Sequence, residues 1–560
     1  MVTATLCSLA HTPDILYRIF SYFDADDLER QYLPGDVYES RRSLVFAART
    51  CRAFADPALR VLWSSLPDDQ PLADLLCTLG IAARERSLDN HGLSDGNPGR
   101  YALLNQYGGF GLYIPDHTYE PRWRQSRGYD VRYFFLHGGD PRRLPQWTRF
   151  QQYASYVRAI TLFAFDGPRW SKLWEKLRSS IDGAPILPGL SSVSFCCFSS
   201  RENTQGIFAL ISPSVRKLDF AIPSYSWPES DEKARRVFSK AFRAGPGITT
   251  LRLALPPSTL GPSLLRNHCS YLRHLQVTPR VNVDDLRLLD DLHALEHLSI
   301  SLSSGLRPLH LTLPSLVTLV IAGHWKDMCI LLDTMRLPSM QMLSMTGWEG
   351  AQGEADVSAT ELVTGAIQCF SAISTWYPSI TSLCVNSTHT PVEPRGCVVP
   401  YLPQVVAPFN GRLIDTIRPL LALRALRYIA IRLPSYFGVV ATASDGALMA
   451  DAWRNLEELH LDVRRYSYGL RMYDPRPCGI PQEGIAHFAR KCPRLRVLRL
   501  PGMEMEMAKG SRAAGKSASQ PRGGVRRPIM PRILSKLAWR TWQSKFRSLW
   551  KGRSRTRHVS

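Results

Sequence analysis

The sequence predicts an α/β protein in which a short N-terminal helical module precedes a long, irregular solenoid with a curved parallel sheet and helices outside. Two observations lead to this fold class. Short apolar segments of the form L-x-L recur along most of the chain, and stretches with helical periodicity lie between many of them. A chain of 560 residues with 44% hydrophobic residues is long enough to bury the core of such an array.

The first element is a helical module over residues 12–79. Apolar residues just after Pro13 have the spacing of one face of a short helix. A second set with the same spacing covers residues 44–54, and Pro57 is expected to open a third helical turn. Three helices this short cannot bury all their apolar side chains among themselves, so we expect them to pack on each other and on a partner.

Residues 80–152 form the second region, which is rich in Gly, Asp, Arg and Tyr. Its hydrophobic periodicity is weak, so we predict an irregular connector. Its aromatic residues are candidates for packing against the first repeats of the solenoid.

The solenoid is predicted over residues 153–503, where twelve L-x-L segments run from Ile160–Leu162 to Leu498–Leu500. Most have another apolar residue three positions earlier, which completes L-x-x-L-x-L, the core of a leucine-rich repeat. An ordinary α/β domain with buried parallel strands is the alternative, but it has no reason to keep that residue at a fixed offset. We therefore expect twelve neighbouring parallel strands with the intervening helices on the outer side of the sheet.

The middle residues of the L-x-L segments should face the groove of this sheet, since strand side chains alternate between faces. Their mixture of polar and charged groups favours recognition of a protein over a small apolar ligand. The groove candidates are Asp219, Arg252, Gln276, Ser299, Val320, Ser344, Cys384, Ala430, His460 and Arg499.

A basic tail over residues 504–560 accounts for most of the net charge. The span 508–560 contains fifteen Lys or Arg and no Asp or Glu, and removing these fifteen charges from the total of +21 leaves +6 for the rest. We expect a disordered tail with an amphipathic helix at 531–550 that binds an anionic membrane, nucleic acid, an acidic protein groove or an import receptor. The surface-binding candidates in this helix are Leu534, Trp542, Phe546 and Trp550.

Motifs for catalysis or metal binding are weak. Residues 92–96 fit G-x-S-x-G but have loop-like flanks, and residues 108–111 lack the third glycine of a dinucleotide-binding turn. His268 lies beside Cys269, and His293 and His297 have helical i, i+4 spacing, yet no third ligand is near in the sequence, so solvated or capping roles are favoured. We predict a protein that is not an enzyme and has no metal, cofactor or small-molecule substrate.

The cellular compartment is expected to be the cytoplasm or the nucleus. No apolar run approaches the roughly 18 to 20 residues of a membrane-spanning helix, and the opening residues lack the pattern of a secretory signal. The twelve cysteines are scattered and form no C-x-x-C pair, as expected of buried free thiols.

The N-terminal module resembles the F-box. Residues 12–23 read TPDILYRIFSYF, residues 43–54 read SLVFAARTCRAF and residues 58–63 read ALRVLW. An F-box typically begins Leu-Pro-x-Glu-Ile-Leu, carries a Cys-Arg pair around its second helix and ends with Leu-Trp. The chain departs from this pattern at His11, where leucine is usual, and at residues 29–42, which enlarge the loop between the first two helices.

The whole chain is similar to the large fungal F-box family, in which the F-box leads into degenerate leucine-rich repeats. This resemblance implies a substrate-recognition adaptor whose helices bind the Skp-type adaptor of a cullin-RING ubiquitin ligase, and whose repeats bind a protein substrate. The alternatives are a leucine-rich-repeat scaffold without a ligase role, and a nucleic-acid or membrane-surface binder that acts through its tail. The residues implied to contact the Skp-type adaptor are Pro13, Ile15, Leu16, Ile19, Phe23, Leu44, Val45, Cys51, Leu62 and Trp63.

Overall fold

A sheet of fourteen strands extends through most of the chain. The computed structural model describes residues 12–23, 34–87, 130–135, 140–164, 171–197, 205–220, 231–254, 257–260, 262–349, 359–389, 411–434, 440–464, 480–500 and 503–506. The strands of the sheet, in spatial order, are β1 (Ser65–Leu66), β4 (Ala159–Ala164), β5 (Ser192–Cys197), β6 (Lys217–Phe220), β7 (Thr250–Leu253), β8 (His274–Val281), β9 (His297–Leu302), β11 (Thr318–His324), β13 (Met342–Glu349), β14 (Ser382–His389), β15 (Tyr428–Pro434), β16 (Glu458–Arg464), β17 (Val497–Leu500) and β18 (Met503–Glu506).

The twelve predicted L-x-L segments are confirmed as consecutive parallel neighbours in this sheet, from β4 to β17. Equivalent leucines pair across the strands, as Leu298 does with Leu319 and Leu319 with Leu343. Both apolar residues of each segment are therefore buried on one face, and a slip by one residue would turn them all to the other face. The repeated register makes the chain an α/β solenoid.

Backbone hydrogen bonds repeat with the strands. At the start of each main-sheet strand from β5 to β17, two consecutive N–H groups donate to one carbonyl group of the preceding repeat. For example, the N–H groups of Glu296 and His297 both donate to the carbonyl oxygen of Arg273, each at 2.8 Å. This pattern places equivalent residues of adjacent repeats next to each other.

Helices pack on the apolar face of the sheet, as predicted. Phe220 of β6 contacts Phe238 of the following helix with ring centroids 3.8 Å apart, and one continuous hydrophobic core runs from Leu66 to Leu500. The helices are α1 (Pro13–Ser21), α2 (Pro34–Thr50), α3 (Arg52–Ser64), α4 (Gln70–Thr78), α5 (Pro145–Tyr156), α6 (Ser171–Ser180), α7 (Asp231–Ala244), α8 (Pro257–Leu260), α9 (Pro262–His268), α10 (Val283–Arg287), α11 (Trp325–Thr334), α12 (Ala359–Trp376), α13 (Leu413–Ile417), α14 (Ala443–Ala452) and α15 (Gln482–Lys491), with 3-10 turns at Pro141–Arg143, Gln205–Leu210 and Arg418–Ala422. None of the helices in these described parts of the chain has the length and apolar character that crossing a membrane requires.

The N-terminal module is a bundle of α1, α2 and α3 with its own small core. Its second helix begins at Pro34, so much of the expected loop at 29–42 is helical. The third helix begins at Arg52 and encloses Pro57 instead of opening there. The break between the two helices lies at Cys51, whose extended backbone (φ −156°, ψ 162°) ends one helix and precedes the next.

The expected connector at 80–152 contains regular structure at both ends, which corrects the irregular region predicted there. Strands β2 (Ala82–Ser87) and β3 (Asp130–Phe135) pair antiparallel, and α5 supplies Trp147 and Phe150 to the solenoid core. The sheet begins before this region, because β1 at the end of the helical module pairs with β4. Residues 88–129, which include both glycine motifs, lie outside the described residues.

Two further strand pairings complete the topology. Strands β10 (Leu311–Thr312) and β12 (Met335–Arg336) form a small parallel sheet beside the main one. At the far end, β18 pairs antiparallel with β17, where a disordered tail was expected from about Glu504. Residues 507–560, with the four tail candidates, lie outside the described residues.

Candidate interaction surfaces and a histidine pair

An apolar patch lies on the outside of the N-terminal bundle. Ile15 and Ile19 lie four residues apart on one face of α1, and Phe23 follows four residues later, just after the helix ends; the first two are 46% and 44% exposed. Val45 and Phe46 of α2 are also exposed, Phe46 by 54%. We call Ile15, Ile19 and Phe23 the apolar patch. Large apolar side chains grouped on a surface indicate a region that another molecule covers.

Two of the predicted adaptor contacts belong to the bundle core instead of this surface. Leu16 and Leu44 are only 4% and 2% exposed, and they pack with Phe20, Ala58 and Val61. The apolar stripe of α1 is wide, and the sequence alone does not indicate which half of it the neighbouring helices cover. Pro13 and Cys51 are exposed, as a contact role requires.

Trp63 and Leu62, the Leu-Trp pair of the motif, are partly buried at the end of α3. The Trp63 ring lies against Tyr153 of α5, with centroids 5.2 Å apart. Close by, the Tyr156 hydroxyl donates a hydrogen bond to Asp56 at 2.5 Å. Trp63 therefore joins the bundle to α5, which packs into the solenoid core.

The polar face of the sheet carries the predicted groove residues in one row across adjacent strands. Asp219, Arg252, Gln276 and Ser299 pair in register from β6 to β9. Asp219 and Arg252 form an ion pair at 3.6 Å, while burial raises the pKa of the Asp219 carboxyl above its usual value. Gln276 and Arg252 are exposed, so this end of the row is available for contacts.

The middle of the row is uncharged. Val320 and Ser344 are partly exposed, but Cys384 and Ala430 are buried, which corrects the expectation that both are available in the groove. Burial raises the pKa of the Cys384 thiol to about 12, so this thiol is protonated and unreactive at neutral pH.

The far end of the polar face is charged again. His460 lies 3.5 Å from Glu458 on β16, and Arg432 of β15 forms an ion pair with Asp462 at 3.0 Å. Arg499 of β17 is partly exposed and pairs in register with His460. The polar face thus has charged ends on either side of a neutral middle, a pattern that suits selective contact with a protein.

A histidine pair lies on the same face, and sequence reasoning missed it. His274 and His297 begin β8 and β9, pair in register, and stack with ring centroids 4.4 Å apart. Burial lowers the pKa of His274 to about 4 and that of His297 to about 3, with the neighbouring His274 as a second cause for His297. Both rings are therefore neutral at pH 7.

Glu296 completes this group, because its carboxylate and one nitrogen of each ring lie within 4.8 Å of one another. Its carboxylate also accepts a hydrogen bond from Arg273 at 3.2 Å. His293, the partner suggested by helical spacing, is exposed and is not in this group. The signal that would have found the pair is the repeat itself, because a histidine directly precedes two successive L-x-L segments, at Leu275 and Leu298.

Comparisons with known proteins find similarity only at the level of solved structures. No known protein family and no curated protein matches the chain. The leucine-rich repeat-containing protein LegL7 from Legionella pneumophila is 12% identical with a TM-score of 0.29, over 60% of this chain and 97% of LegL7. The internalin InlF from Listeria monocytogenes is 11% identical with a TM-score of 0.20, over 52% of this chain and 90% of the internalin. Because both scores are low, the strand order of the chain itself establishes the repeat fold.

Proposed function

We propose that this protein is a substrate-recognition adaptor of a Skp/cullin/F-box type ubiquitin ligase. The observation that carries the proposal is the apolar patch, which lies on α1 and directly after it within the segment that resembles an F-box. A bundle with so small a core has little reason to expose Ile15, Ile19 and Phe23 together unless a partner covers them. The Skp-type adaptor is the partner that the resemblance implies.

The connection between the bundle and the solenoid supports this role. Helix α3 ends at Ser64 and strand β1 begins at Ser65, so the bundle continues into the sheet without a linker. The Trp63–Tyr153 contact and the hydrogen bond from Tyr156 to Asp56 add side-chain contacts across the junction. An adaptor of this kind works by holding a bound substrate near a ubiquitin-loaded enzyme, which requires such a stiff connection.

The polar face of the sheet is the proposed substrate surface. Its charged ends and neutral middle offer hydrogen bonds and ion pairs in a fixed spacing, which favours one protein partner over others. The residues proposed to contact the substrate are Asp219, Arg252, Gln276, Ser299, Ser344, His460 and Arg499.

Co-purification of the full chain with a Skp-type adaptor tests the proposal. We expect Ile15→Asp and Ile19→Asp each to abolish the complex, because each places a charge in the apolar contact, while the melting temperature stays close to that of the unchanged protein. Leu448→Asp is the matched control, since Leu448 is a leucine of α14 that is 48% exposed far along the chain. This control should retain binding. Leu16→Asp is unsuitable, because it would disrupt the bundle core.

Unchanged binding by a folded Ile15→Asp/Ile19→Asp double variant would contradict the proposal. Binding of other proteins through the polar face, without any Skp-type adaptor in the complex, would support the alternative of a leucine-rich-repeat scaffold with no ligase role. To separate the two outcomes, the co-purified proteins are identified with the unchanged chain and with an Arg252→Glu/Arg499→Glu variant. Proteins lost from this variant bind through the polar face, and the presence or absence of a Skp-type adaptor in the complex decides between the two roles.

A further inference from the structure

Three potential metal ligands from two successive repeats meet beside the polar face of the sheet. His274 comes from β8, His297 from β9, and Glu296 from the residue just before β9. Each offers one ligand atom, and these atoms lie within 4.8 Å of one another. All three side chains are partly buried, so they are shielded yet still accessible to an ion from solvent.

We propose that His274, Glu296 and His297 bind one divalent transition-metal ion of the zinc type. Two imidazole nitrogens and one carboxylate oxygen are ligands that zinc takes in proteins, whereas calcium and magnesium prefer sites built from oxygen alone. Three protein ligands leave a fourth tetrahedral position for water. The site would bridge two adjacent repeats, and it does not depend on the proposed adaptor role.

Binding of the ion would draw the three ligand atoms closer together. Zinc–nitrogen distances of about 2.0 to 2.1 Å place tetrahedral ligand atoms roughly 3.4 Å apart. The present separations of up to 4.8 Å therefore close by rotation of the two stacked rings and the carboxylate. The register of β8 and β9 already places His274 beside His297, so the two rings begin as neighbours.

Arg273 is the group that competes with the ion. Its guanidinium lies 3.2 Å from the Glu296 carboxylate, in an ion pair whose Arg273 side chain is 56% exposed. Exposed ion pairs of this kind contribute little, and Arg273 can keep one carboxylate oxygen while the ion takes the other. Arg273 would then orient the carboxylate as an outer partner of the site.

Zinc titration of the full chain, after removal of bound metal with a chelator, tests the site. We expect one zinc ion per chain at this site and a rise in melting temperature with zinc but not with magnesium. His274→Ala, His297→Ala and Glu296→Gln should each weaken zinc binding at least about tenfold. His293→Ala is the matched control, because it removes an exposed histidine four residues from His297 and should bind zinc normally.

Cobalt substitution distinguishes this site from adventitious binding by cysteines. A site built from two histidines and a carboxylate should give tetrahedral cobalt bands without thiolate charge-transfer absorption. If folding fails in the alanine variants, His274→Gln and His297→Gln keep the size and polarity of the side chain and serve in their place. The proposal is overturned if the chelated protein shows no stoichiometric zinc binding, if the cobalt spectrum shows thiolate ligation alone, or if the His274/His297 double variant binds zinc as the unchanged protein does.

Discussion

Asp69 is a residue whose surroundings make the stability of the fold depend on pH. It lies just before α4 and accepts a hydrogen bond from the indole Nε1 of Trp174 at 2.6 Å. Burial raises the pKa of its carboxyl from 3.8 to about 6, more than this hydrogen bond lowers it. Asp68 beside it has a pKa that is raised for the same reason.

Asp69→Asn should therefore change the pH profile of stability. Between pH 3.8 and about 6 the folded state holds a proton that the unfolded state has lost, so the unfolding free energy falls as pH rises through this window. The variant has no such proton and keeps an acceptor for Trp174. The unfolding free energy of the variant minus that of the unchanged protein should be larger at neutral pH than at about pH 4.5, by roughly 2 kcal/mol.

Urea unfolding of both proteins at the two pH values measures this difference. Asp284→Asn is the control, because it makes the same chemical change at a carboxylate that is 79% exposed. Equal effects of Asp69→Asn at both pH values would show that Asp69 does not titrate as described.

At the scale of single elements, capping boxes fix the start of two repeat helices. Asn282 and Asp285 form one at α10, and Thr442 and Asp445 form another at α14. Asp285 is only 1% exposed, and its carboxylate accepts hydrogen bonds from the N–H of Asn282 at 2.9 Å and from the N–H of Ser258 at 2.8 Å. One side chain therefore holds the start of α10 against α8.

Asp285→Ala should lower the unfolding free energy by about 2 to 3 kcal/mol, because it leaves backbone N–H groups without their buried acceptor. Asp284→Ala, one residue earlier and exposed, should cost less than about 0.5 kcal/mol. Chemical denaturation of the two variants gives both values. Similar losses in the two variants would mean that the capping box contributes no more than an exposed carboxylate.

At the scale of the whole molecule, the chain has two hydrophobic cores of very different size. Leu16, Phe20, Leu44, Ala58 and Val61 form the core of the bundle. The solenoid core extends from Leu66 to Leu500 and includes every strand from β4 to β17. Because a small core offsets less conformational entropy, the bundle should be the less stable of the two.

Hydrogen exchange followed by mass spectrometry should show this difference. In the free chain, we expect the amides of α1 and α2 to exchange well before those of β9, β11 and β13, which lie between neighbouring repeats on both sides. Addition of a Skp-type adaptor should slow exchange in α1 and α2 if the proposed function holds. Equal protection of bundle and central strands in the free chain would contradict the expected order.

The sequence by itself determined the strands and the helices that follow them. Each L-x-L segment became a strand, and helices lie between many of these strands as predicted, because alternation and helical spacing are properties of consecutive residues. Tertiary structure decided which side of an apolar stripe is buried, so Leu16 lies in the core while Ile15 is exposed. It also decided the pairing of β2 with β3, because these two strands lie far apart in the chain and local patterns do not encode the register between them.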